Sequence, residues 1–440
     1  MTLFDGKRLT QNVMHLPIDG LRRGDYSDKY FANVERVLVG AFKRSLRYGQ
    51  VTPAKPMPAG YADELVGDVV VEAQIFNRRS PWALVGGVDA ALAMVRHATR
   101  WDAWAGLEVE AVHDGVLTAY DGQPETVQPV LKIRGKYRDF ALLETPMLGV
   151  LTRISRVATN VLEVLRVSDG KPILFFPARF DLPDVQASDG YAYWLAVQRY
   201  NHETGRQTVA RVSTDAQGAW WGGRGGGTIP HALIAAFLGD TAAAMLAVAR
   251  ELDTDTPRIV LADFNNDAIR DALATLDAYW PHYKAAWQGG DQHSMRQWTL
   301  NGVRLDTAGN LLDASLSDPA DKGVSPLLVR AMRRALDGAW ERWNEAGAAA
   351  AEAQAYCRRV QIVVTGGFNR ERVERFEREH VPVDVYGVGS SLLANDKATS
   401  TDFTMDVVRA KLGGQWADVA KIGRRAGVNP DLQPVDLGVL

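Results

Sequence analysis

An irregular, TIM-like α/β barrel with a smaller N-terminal α/β sandwich domain is the fold class the sequence predicts, and three observations predict it. The chain has 440 residues, more than one ordinary core organises, so its length favours two or three domains. From Arg258 to Gly389 apolar strand-like runs alternate with helical runs, the order that parallel strands joined by helical crossovers require. The ends of four successive strands, ADFNND, VRLDTAG, VVTGGFN and YGVGSS, turn from apolar to small, polar or charged residues. In an α/β barrel the site is assembled from such C-terminal strand ends. A doubly wound open sheet places them similarly and ranks second.

The elements follow in order. Between Leu65 and Asp139 the runs VVVEAQIF, LEVEAVHDG, GVLTAY and PVLKIRG are β-rich and punctuated by Gly and Pro, with a helical stretch at Val88 to Ala105. They predict a sandwich domain over residues 1–140. After Glu144 the texture changes, and the barrel is expected over 141–410, followed by an extension over 411–440. Its clearest part is strand RIVLADF, helix AIRDALATLDAYW, strand GVRLD, helix PLLVRAMRRALDGAWERW, strand QIVVTGG, helix ERVERFERE and strand VDVYGVG. Asn344 to Tyr356 is Ala-rich helical filler, and His231 to Ala249, broken by Gly239 and Asp240, reads as a buried helix pair rather than a membrane span.

Composition narrows the function. A hydrophobic fraction of 46% with 23% charged residues is that of a soluble globular protein. Fifty basic residues against 53 acidic ones leave a net charge of -3, so no global field draws the chain to nucleic acid. The single cysteine, Cys357, excludes an internal disulfide and a thiolate zinc cluster, and it fits a cytoplasmic protein. The eight histidines show no metal-binding spacing, which leaves carboxylate-bound Mg²⁺. The first residues carry no export signal, and no GxSxG elbow or Walker lysine loop is present.

Several residues stand where chemistry is expected. The turns Thr365-Gly366-Gly367 and Gly387 to Ser391, with Gly389 and Ser390, let backbone N–H groups approach a phosphate. Arg304 and Asp306 alternate with Val303 and Leu305, so both side chains face the pocket if the apolar pair packs away from it. A guanidinium there suits a carboxylate or phosphate, and an internal salt bridge is the plain alternative. Asp263 is the candidate Mg²⁺ ligand, whereas Asp267 caps the next helix. His231, with Thr228 and Pro230 after a glycine run, opens a helix, a place for nucleophilic or phosphate-handling use. Tyr30 offers a face to a flat ring, and Arg179 offers a cation at the end of strand PILFF.

Taken together, DYSDKYF, LLETPMLGVL, FFPARF, GTIPHALI, VLADFNND, GVRLDTAG, VVTGGFN and YGVGSSL resemble the ordered signature of the nicotinate phosphoribosyltransferase family, with its type II phosphoribosyltransferase fold. The resemblance implies a homodimer with active sites near the subunit interface. It implies transfer of the phosphoribosyl group of phosphoribosyl pyrophosphate to the nitrogen of nicotinate, with Mg²⁺ and with ATP as a coupled co-substrate. By position Tyr30 resembles the ring-stacking tyrosine, while Thr228, Arg304 and nearby Arg179 resemble the nicotinate contacts. Thr365, Gly366, Gly367, Gly389 and Ser390 fall at the phosphoribosyl pyrophosphate grip. His231 matches the phosphorylated histidine and, with Asp306, completes the candidate catalytic pair. RLDTAG departs from the usual RLDSGD, and TIPHALI from T-x-A-H-S, which bears on metal contacts and on ATP coupling. Nicotinamide or quinolinate as substrate, or a non-catalytic nucleotide-binding barrel, are the alternatives.

Overall fold

The computed structural model describes residues 4–440. The strands found among them are β1 (Val70–Asn77), β2 (Trp82–Leu84), β3 (Glu108–Ala111), β4 (Leu117–Ala119), β5 (Leu131–Lys136), β6 (Ile173–Phe175), β7 (Arg211–Val212), β8 (Ile259–Leu261), β9 (Gly302–Leu305), β10 (Gln361–Val364), β11 (Val385–Val388), β12 (Phe403–Leu412), β13 (Gln415–Asp418) and β14 (Gln433–Pro434). They form two six-stranded sheets and the small pair β2-β4. No helix among the described residues is long and apolar enough to cross a membrane.

The first sheet is antiparallel, in the order β13-β12-β1-β5-β3-β14. Its central strand β1 is buried from Val71 to Asn77 because both faces are covered. Ala73 and Ile75 join one apolar cluster with Val88, Leu92 and Val95 of the helix Val88–Ala98. On the opposite face Glu72 accepts from Arg134 Nε at 2.7 Å, and Gln74 Oε1 accepts from the Gly427 amide at 2.7 Å. These polar groups are buried only because a partner is supplied. The helix ends at Ala98 rather than Ala105, since Thr99 turns extended with ψ 149°, and Trp101 and Asp102 then take left-handed φ values of 54° and 52°. β12 pairs with β1 from Val70↔Lys411 to Asn77↔Phe403, so the division expected at 410/411 falls inside a strand of this domain. The extension over 411–440 supplies β13 and β14 to the same sheet.

The second sheet is parallel, in the order β7-β6-β11-β10-β9-β8. Strands β8 to β11 are neighbours in sequence, and β11 then pairs with β6, which is barrel order rather than the reversal of a doubly wound sheet. The expected irregular, TIM-like barrel is present as a half-barrel: no pairing joins β7 to β8 among the described residues. The cause is local. Beside β7 lies the run Gly222 to Gly227, whose glycines have no side chains to hold a strand, and it contributes only the isolated bridge Val212↔Gly225.

All three expected crossover helices are present, at Ala268–Gly289, Pro326–Gly338 and Arg370–Arg378. The Ala-rich stretch forms helix Gly347–Arg358, which is more than filler because Ala353, Tyr356 and Cys357 are buried in the core. The expected buried helix pair is half correct: Thr241–Glu251 buries five residues, whereas His231–Ala236 buries only Ile234 and leaves its N-terminus at the rim. Helix Glu144–Val167 joins the two domains. Its Met147 and Leu151 belong to the antiparallel-sheet core, and from Ile154 onward it packs in the half-barrel core.

Candidate active site

At the C-terminal rim of the half-barrel lies a cavity of about 580 Å³. β9 supplies its charged wall by strand alternation: Val303 and Leu305 are fully buried on one face, and Arg304 and Asp306 line the cavity from the other. The Arg304 Nη1 donates to Thr228 Oγ1 at 3.0 Å and its Nη2 to Asp306 Oδ2 at 3.0 Å. The salt bridge weighed as the plain alternative exists, but inside the cavity and only partly buried. The Arg304 Nε is buried without a hydrogen-bond partner among the described residues.

The next strands supply close-approach turns. Thr365 is tied to β9 through its amide, 2.9 Å from the Leu305 carbonyl oxygen. Gly366 and Gly367 have φ values of 87° and 72°, which only glycine adopts without strain. A Cβ on Gly366 would stand 3.2 Å from Asp306 Oδ1, and one on Gly389 2.8 Å from the Phe180 ring. Arg372 braces the first turn from behind: its Nη1 donates to the Gly366 oxygen at 2.6 Å, its Nη2 to the Val324 oxygen at 2.7 Å, and its guanidinium covers the Phe368 ring at 4.1 Å. Ser390 completes this wall.

His231, first residue of helix His231–Ala236, sits at the mouth with its side chain 43% exposed. Its Nε2 lies 3.0 and 3.1 Å from the two oxygens of Asp263, which leaves Nδ1 as the nitrogen without that partner. Burial raises the Asp263 carboxyl above its ordinary value, the His231 contact opposes this, and the Asp306 charge adds to it. Asp263 therefore stands behind His231 as its hydrogen-bond partner and is not itself a wall of the cavity. No cluster of three or more His, Cys, Asp or Glu suited to a metal occurs among the described residues. With Asp263 facing His231 and Asp306 facing Arg304, the donors present do not make a protein-built Mg²⁺ site.

The cavity thus unites His231, Asp306, Thr228, Arg179, Arg304, Thr365, Gly366, Gly367, Gly389 and Ser390. It does not include Tyr30. That side chain lies in the first turn of helix Lys29–Lys43, is 59% exposed, and donates its hydroxyl to Asp28 Oδ2 at 2.9 Å. Within one chain Tyr30 stands away from the cavity, because helix Lys29–Lys43 packs with the antiparallel-sheet domain. Sequence reasoning missed Phe176, Phe180 and Ser213. The two phenylalanines flank the residue that was singled out, and FFPARF was itself the signal. Ser213 follows a two-residue strand too short to show periodicity.

Comparison with known proteins agrees with this architecture. Residues 60–155 match the family model of the quinolinate phosphoribosyl transferase N-terminal domain. The crystal structure of nicotinate-nucleotide pyrophosphorylase from Pyrococcus furiosus is similar at a TM-score of 0.62 and 22% identity, covering 95% of this chain and 84% of that one. The crystal structure of human nicotinic acid phosphoribosyltransferase is similar at a TM-score of 0.52 and 16% identity, covering 89% and 76%. The two solved structures share this fold, and the family-model match over residues 60–155 agrees with the resemblance drawn from the sequence.

Proposed function

We propose that the chain transfers the phosphoribosyl group of phosphoribosyl pyrophosphate to nicotinate, forming nicotinate mononucleotide and pyrophosphate in NAD biosynthesis. One observation carries this reading, the charge balance of the cavity. Two guanidinium groups line it, and Arg304 is shared with Asp306 while Arg179 has no ion-pair or hydrogen-bond partner among the described residues. One unbalanced cation suits one carboxylate.

In this reading Arg304, Thr228 and Arg179 orient the pyridine carboxylate, so the ring nitrogen faces the phosphoribosyl carbon. The Thr365 to Gly367 turn, Gly389 and Ser390 hold the phosphate. Asp306, beside Gly366, faces the carbon that gains positive charge as the bond to pyrophosphate breaks. Positioning and charge complementarity of this kind do most of the work of such a transfer. Mg²⁺ enters as the companion of the pyrophosphate substrate. ATP would pass a phosphoryl group to His231 Nδ1, releasing ADP, while Asp263 holds the opposite nitrogen. A homodimer is part of the proposal: Tyr30, which lies outside the cavity of its own chain, would stack on the ring at the cavity of a second copy.

A second reading, with quinolinate as substrate, is favoured by the family match over residues 60–155. Two carboxylates call for more cationic groups than Arg304 and Arg179 provide. Pyrophosphate release with nicotinate, nicotinamide or quinolinate, each with and without ATP, tests both. Release with nicotinate that rises with ATP supports the proposal, release only with quinolinate replaces it, and no release with any pyridine points to a non-catalytic relative.

A further inference from the structure

The Arg179 side chain has no hydrogen-bond or ion-pair partner among the described residues. Its guanidinium lies 5.2 Å from the Phe180 ring centre and has no carboxylate partner among the described residues. The turn that carries it, Ala178–Phe180, is a single 3₁₀ turn that follows β6. It is closed by the Phe180 amide donating to the Pro177 oxygen at 2.8 Å. Where the cation points therefore depends on what fixes this turn. On the strand side the fixed point is the Phe176 amide, 2.9 Å from the Val388 oxygen. On the other side it is Asp181.

Asp181 is gripped by a residue outside the cavity. Arg153, on the helix that joins the two domains, donates from Nη2 to Asp181 Oδ2 at 2.6 Å. The same guanidinium donates from Nε to Asp189 Oδ1 at 2.8 Å and from Nη2 to Asp189 Oδ2 at 2.9 Å. Asp189 lies in the first turn of helix Gln186–Thr204 and its side chain is 5% exposed, so the planar fork is anchored on the rigid side and offers its remaining reach to the turn. Arg156 also faces Asp181 and Asp189, at longer range and without a hydrogen bond to either among the described residues. Asp181 Oδ1 meanwhile accepts from the Leu182 amide at 2.8 Å, which fixes the carboxylate plane.

We infer that Arg153, Asp181 and Asp189 form a clamp that sets the position of the Arg179–Phe180 turn, making Arg153 and Asp181 positioning residues for the substrate anion. The inference rests on the proposed function for the identity of that anion, but not for the clamp itself. Asp181→Asn is the informative variant: it removes the charge on the turn side, keeps an oxygen for the Leu182 amide, and leaves Arg153 paired with buried Asp189.

Steady-state kinetics with nicotinate are measured for the wild type, Asp181→Asn, Arg179→Ala and the double variant. Asp181→Asn is expected to raise KM about two- to fivefold, the size of a partly exposed ion pair, with kcat unchanged. In the Arg179→Ala background the same change is expected to add nothing, since a residue acting through another loses its effect when that other is gone. Effects that multiply, or a KM unmoved by Asp181→Asn, overturn the inference. Hydrogen–deuterium exchange over 176–185 is the second readout. Faster exchange there in Asp181→Asn, with the rest of the chain unchanged, supports the clamp whatever the substrate, and unchanged exchange overturns it. A wild type that never turns over nicotinate, combined with faster exchange in the variant, overturns the proposed substrate and leaves the clamp standing.

Discussion

The two sheets are built in opposite ways. The half-barrel strands β8 to β11 follow one another along the chain and pair in that order, each joined to the next through a helix, so every unit is a local decision. The antiparallel sheet is assembled from both ends of the chain, with β1 lying between β5 and β12 although more than three hundred residues separate β1 from β12. The local sheet carries the cavity, and the long-range sheet carries none of the residues that line it. Catalytic geometry and global stability are therefore expected to depend on different parts of the sequence.

The largest effect that can break this comparison is on stability. Removing residues 403–440 deletes β12 to β14, uncovers one edge of β1 and strips Gln74 of its partner at Gly427. The expected outcome is loss of cooperative thermal unfolding by circular dichroism; an unchanged transition would mean that the segment is an appendage. Next, on the catalytic side, His231→Ala is expected to remove the whole ATP-stimulated increment of turnover and leave a slower transfer, because the phosphoryl acceptor is gone while the other lining groups stay. Retained ATP stimulation in a coupled ADP assay would contradict that role.

A smaller effect is expected at the phosphate turn. Gly366→Ala forces a side chain into a left-handed position, which costs about 1–2 kcal/mol, and brings a carbon 3.2 Å from Asp306 Oδ1. Affinity for phosphoribosyl pyrophosphate is predicted to fall about tenfold, measured as KM for that substrate at saturating pyridine. A further effect joins the two regions. Glu144, at the start of the connecting helix, is raised from 4.5 to about 8, by burial first and then by the charge of Asp406. A carboxyl whose folded value is raised contributes stability below its unfolded value and loses it as pH rises through the folded one. The wild-type melting temperature is thus expected to fall between pH 5 and pH 8 relative to Glu144→Gln, and parallel pH profiles would refute the assignment.

What could be read from the sequence follows the same divide. The β8 to β11 units were legible because alternation and strand-end polarity are local signals, and Arg304 with Asp306 followed from the period of two in GVRLD. The membership of β12 in the first domain was not, since pairing across the whole chain leaves no periodic trace at either partner. Nor was the open seam of the barrel, which depends on what a glycine run fails to build. The Asp263 position shows a third limit: the sequence marked a carboxylate at a strand end, but only the fold reveals that His231 from another segment stands in front of it. Tyr30 was singled out as a ring, and its distance from the cavity is a matter of domain placement.

The most direct measurement is a pair of Michaelis constants for Arg304→Ala. Arg304 bridges Thr228 and Asp306 inside the cavity, so the account predicts a rise in KM for nicotinate of about a hundredfold, the scale of a lost charge-assisted contact, with KM for phosphoribosyl pyrophosphate nearly unchanged. A variant that instead loses only its affinity for phosphoribosyl pyrophosphate would place the pyridine carboxylate elsewhere and contradict the reading of this cavity.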